Sequence, residues 1–140
     1  VQRVSNIVHK VVQDLLTRAD KHDASKTQEP EAPIFEEFTK KLKDVTYGSN
    51  EYKSYLDAMK PALDHHYANN RHHPEHFPDG VSGMTLMDLM EMVADWKAAS
   101  ERHNDGNIMK SIEHNTGRFD IAPQLAQILK NTVVALGLKE

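Results

Sequence analysis

Apolar residues in this chain recur every three or four positions and nowhere alternate. Val4, Ile7, Val8, Val11, Val12, Leu15 and Leu16 form one such face over residues 2–20, the period of an amphipathic helix. Residues 34–45 (IFEEFTKKLKDV) repeat the pattern in a shorter helix ended near Gly48. Ser49 can cap a helix over 50–73, which Pro61 interrupts and Pro74 ends. Thr85 opens a helix over 85–102 with Asp88 in the capping-box position. A short helix is expected over 106–115. Asp120 is expected to cap a last helix over 121–136, which Gly137 closes. SKTQEPEAP, with Pro30 and Pro33, and HPEHFPDGVSG read as loops. No hairpin signal or repeat interrupts the series. The fold expected is all-α, one domain of five to six helices over residues 1–140.

Composition narrows the chemistry. With 140 residues and 27% charged side chains, the chain suits one globular domain. It has no cysteine, which excludes disulfides, thiolate nucleophiles and Cys-ligated metal centres. A net charge of −4 gives no basic surface for nucleic acid. No apolar run approaches the roughly 20 residues of a membrane span, and no leader is visible. A cytoplasmic protein, of a bacterium or a phage-infected cell, is the expectation.

Five of the nine histidines fall within HHYANNRHHPEH: His65, His66, His72, His73 and His76. On a helix over 50–73, His66 and His73 would lie within about 20° of each other, and His65, Asn69 and His72 would form an adjacent stripe. His66 and His73 would then stand about 10 Å apart along the axis, too far to share an ion easily. His76 lies past Pro74 and can fold back. Upstream, His22-Asp23 in RADKHDASK offers an imidazole and a carboxylate side by side. Lys26, one turn on, can neutralise a phosphate. Downstream, Asp88, Glu91 and Asp95 share one strip of the 85–102 helix, between Met87 and Met92. Asp95 can complete a metal shell, and Glu91 can serve as hydrogen-bond acceptor to a ligand or as a base. Imidazole and carboxylate together hold Zn, Mn, Fe or Ni, so a metal site drawn from three segments is expected. Plainer readings compete with it: surface histidines, a charged helix end and a solvated acidic face. Arg118 and Lys97 can bind phosphate or carboxylate but are more simply surface charges, and His103 and His114 have no evident partner.

With these residues in hand, the chain resembles a compact member of the HD-domain metal-dependent phosphohydrolase superfamily. The matching order is His9, His22-Asp23, His66 with His72 or His73, then Asp95. The runs RADKHDASK, HHYANNRHHPEHF and EMVADW resemble more closely a small phage and bacterial domain family of unknown function. They span residues 18–96, and HHPEH is the most specific. One departure concerns His9: thirteen residues before His22, it would sit about 20 Å from it along one helix and on a different face.

The resemblance implies an HD-like helical fold and one or two divalent ions, from among Mn, Fe, Ni, Mg, Zn and Co. It implies ligands from among His9, His22, Asp23, His66, His73, His76 and Asp95. Hydroxide on the metal would attack a phosphoryl group. Lys26 would steady the phosphate, and His72 or Glu91 would protonate the leaving oxygen. The substrate would be a nucleotide or another small phosphomonoester. Three alternatives stand beside this: a di-iron oxygenase of the same superfamily, a non-catalytic module that binds a nucleotide or protein, and a helical scaffold with structural zinc. Homodimerisation is an open option.

Overall fold

The computed structural model describes residues 1–42, 44–46, 49–102 and 106–139. They form six α-helices: α1 (Gln2–Lys21), α2 (Glu31–Leu42), α3 (Asn50–Asn69), α4 (Leu86–Ser100), α5 (Ile108–Arg118) and α6 (Pro123–Ala135). Three single-turn 3-10 segments, Ala24–Thr27, Pro74–His76 and Gly80–Gly83, join them. No strand occurs among the described residues, as the periodicity predicted. Nor is any helix among them long and apolar enough to cross a membrane. Gly48, near which the second helix was expected to end, and His103 lie outside the described residues.

The chain forms two compact units, one of residues Val1–Ala19 with His72–Glu140 and one of Asp20–Arg71. In the first, α4, α5 and α6 enclose an apolar core built on Leu89, Met92, Val93, Ile108, Ile112 and Val133. Trp96 stacks on Phe119 at its margin. Met92, read from sequence as a flank of the acidic strip, is almost wholly buried, whereas Leu86, at the first position of α4, is exposed. The start of α4 follows the sequence: the Thr85 side chain accepts from the Asp88 amide, and the Asp88 carboxylate accepts from the Thr85 amide. Two other boundaries differ. Asn107 caps α5, which runs on to Arg118. Asp120 caps nothing; it turns the chain in the left-handed region at φ 51°, and α6 opens at Pro123, whose missing N–H needs no cap. Gly137, at φ 68°, takes the closing role expected of it.

The second unit is a hairpin of α2 on α3, with the Ala24–Thr27 turn beside it. Ser49 caps α3 by accepting from the Tyr52 amide, and the helix continues through Pro61. α2 begins at Glu31, inside the stretch read as loop. Pro33 falls in its first turn, where no intrahelical N–H bond is needed. α3 stops at Asn69, four residues short of the expected end at residue 73. The cause is Asn70, whose side-chain amide donates to the His66 carbonyl at 2.8 Å and to Ser25 Oγ at 2.7 Å. A side chain bonded back to the backbone in this way gives the chain an alternative to another helical turn. His72 and His73 are therefore not on α3, and the two histidine stripes expected along residues 65–73 do not form.

Candidate metal centre

In the second unit the His-Asp pair sits where α1 has ended. Asp23 takes a left-handed backbone (φ 56°, ψ 21°), which aspartate tolerates better than most residues. The turn sets its carboxylate among three basic groups. Oδ2 accepts from Lys26 Nζ at 2.6 Å and stands 3.3 Å from His22 Nε2. Oδ1 stands 3.4 Å from His66 Nε2. Burial acts to raise the Asp23 carboxyl, but the hydrogen bond and charge of Lys26, with smaller help from His22 and His66, hold it below its ordinary 3.8.

Behind His66 lies Glu31, completely buried. One of its carboxylate oxygens is 2.7 Å from His65 Nδ1 and the other 2.8 Å from His66 Nδ1. Phe35 packs edge-on against the His66 ring. Burial again acts upward on the Glu31 carboxyl. The hydrogen bonds from His65, Ser25 and His66 outweigh it and keep the group below its ordinary 4.5. A carboxylate at Nδ1 makes that nitrogen a donor and turns Nε2 of His66 toward Asp23. This is how proteins orient an imidazole for a metal. Ligand atoms around an ion at about 2.0–2.2 Å lie about 2.9–3.5 Å from one another. The His22–Asp23 and Asp23–His66 spacings each match such an edge, at different oxygens of Asp23.

The first unit gathers its own set. His72 is buried and has a ligand atom within 4.8 Å of one on His73 and one on Asp95. The two imidazole rings lie 4.1 Å apart. His72 Nδ1 is 3.2 Å from Glu91 Oε1, and Glu91 Oε2 accepts from Arg18 at 3.1 Å. Arg18 also donates to Asp88 at 2.8 Å and to Asp14 at 2.7 Å. Asp88 is therefore no part of a solvated face: it is buried under the Arg18 guanidinium while capping α4. Glu91 thus stands behind the His72 imidazole.

Other sequence candidates lie elsewhere. His9 is exposed on α1 with its ring 2.7 Å from the Ser5 carbonyl, and it joins neither set. His76, in the turn after Pro74, packs edge-on against Phe77 and also joins neither. Arg118 pairs with Glu75 and Lys97 with Glu101. Glu31 and Arg18 were not singled out from sequence. A glutamate in a proline-flanked stretch and an arginine on a charged helix end carry no local mark of what they meet.

The fold and these geometries define an all-helical protein whose histidine and aspartate side chains lie close enough to bind a metal ion. The chain belongs to the Family of unknown function (DUF5662), whose model matches residues 1–135. No curated protein and no solved structure matches it.

Proposed function

We propose that this protein is a metal-dependent phosphohydrolase of HD-domain type, acting on a nucleotide or another small phosphomonoester. The observation that carries the reading is the chain of contacts from buried Glu31 through His66 to Asp23. A carboxylate behind an imidazole, and a second carboxylate in front of it at ligand spacing, is a donor set that suits a divalent cation. The proposed ligands are Asp23 with His22 or with His66 in one unit, and His72 with His73 or with Asp95 in the other. When bound, a divalent ion there supplies Lewis-acid stabilisation and a water of lowered pKa.

The chain's own groups divide the remaining work. Glu31 fixes the His66 tautomer and ring direction. Lys26, held 2.6 Å from Asp23 and partly exposed, is placed to transfer its ion pair from that carboxylate to a phosphate oxygen. Glu91, 3.2 Å from His72 Nδ1, would direct that imidazole as Glu31 directs His66.

The test is phosphate release from a panel of nucleoside monophosphates by protein reconstituted with Mn, Ni, Zn or Fe. Turnover abolished by chelator, with KM raised in Lys26→Ala, is the expected result. Tight metal binding with no turnover on any phosphoester would overturn the phosphohydrolase reading and favour a structural or binding role for the metal.

A further inference from the structure

α1 turns its apolar side chains outward. Val4, Ile7, Val8, Val11, Val12 and Leu16 are each between 39% and 65% exposed, and no residue of the helix is buried. Near its C-terminal end Arg18 bonds it to Asp88 and Glu91 of the same unit. At those exposures the six side chains present on the order of 500 Å² of apolar surface, toward the upper end of the largest patch a monomer usually leaves open. Water contact with so much valine and isoleucine is unfavourable, and a partner surface would relieve it.

We propose that α1 pairs with α1 of a second copy of this chain. Val4, Val8, Val11 and Leu15 follow each other at spacings of four, three and four, the a/d rhythm of a two-helix seam. A two-fold contact uses the same surface twice, and a uniform Val/Ile stripe is complementary to itself because its ridges and grooves repeat. Two copies would together cover on the order of 1,000 Å², which reaches the lower bound for a specific interface. A lipid surface fits less well. α1 has no aromatic residue, and Asp14 and Asp20 offset half of its four basic residues, whereas interfacial helices combine aromatic anchors with a strongly basic polar face.

Sedimentation velocity of the full chain across a dilution series tests this, with Val8→Glu and Val134→Glu compared. Both positions are 53% exposed, on α1 and α6, so neither substitution should disturb folding, and circular dichroism confirms the helix content of each. The wild type should sediment as a dimer. Val8→Glu, which acts twice at a two-fold interface, should raise the dimer dissociation constant by about 100-fold. Val134→Glu should leave it unchanged. A wild type that stays monomeric at the highest concentration, or a Val8→Glu dimer as tight as wild type, would overturn the proposal. So would a monomer that floats with phosphatidylcholine–phosphatidylserine vesicles, which would assign the face to lipid.

Discussion

The two units bury different things. The first closes α4, α5 and α6 around aliphatic side chains, with Ile112 and Val133 completely inside. Among its described residues the second buries only Met59 and Ala62 as apolar side chains, and with them Glu31, His66 and Asn70. Apolar burial of the first kind stabilises without specifying chemistry. A buried carboxylate shared by two imidazoles costs desolvation and is tolerated only when every contact is made. The difference teaches where stability and function separate: a substitution in the first core should unfold the protein, and one around Glu31 should disable it.

The largest expected effect breaks the first side of that contrast. Ile112→Ala should lower unfolding stability by about 2–5 kcal/mol, measured by urea titration, while metal bound per folded molecule stays at the wild-type value. Glu31→Gln should sharpen the second side. It keeps the shape but replaces a two-way acceptor with an amide, and metal affinity should fall by about 10–100-fold with helix content retained. Long-range nitrogen NMR on the metal-free protein should show His66 losing its fixed Nδ1–H tautomer. An unchanged tautomer would remove the role assigned to Glu31 whether or not metal binds.

Acid titration distinguishes the units by a third route. The carboxyls of Glu31 and Asp23 lie below their ordinary values in the folded protein. Their contribution is therefore complete above those ordinary values and is lost as pH falls through the lower folded-state ones. In chelator-treated protein the melting temperature should drop below about pH 4, and the slope should be shallower in Glu31→Gln. An unaltered slope would mean that other carboxylates dominate acid unfolding. Thr85→Ala, which removes the α4 cap, should cost about 1 kcal/mol with metal affinity intact. Smallest of all, His9→Ala should change stability by less than about 0.5 kcal/mol and leave metal content as it was; loss of metal would return His9 to the ligand set.

Much of this architecture was legible from spacing and caps. The periodicity of residues 2–20, the Ser49 cap and the Thr85–Asp88 box are local features, and local features survive into the structure. The same periodicity could say that α1 has an apolar side but not that this side faces outward, because burial depends on the rest of the molecule. The end of α3 escaped the sequence for a related reason: Pro74 is a visible stop, but the Asn70 bonds to His66 and Ser25 act first. His22, Asp23 and His66 could be named from residue type and order. Glu31 could not, since its role rests on partners 34 and 35 residues away.

The most direct measurement is a calorimetric titration of Mn²⁺ and Zn²⁺ into chelator-treated protein, wild type beside Asp23→Ala. Saturable binding of one or two ions by the wild type, abolished or cut in number by the substitution, is the predicted result. Absence of binding in the wild type, or identical isotherms for the two proteins, would contradict a metal centre at Asp23.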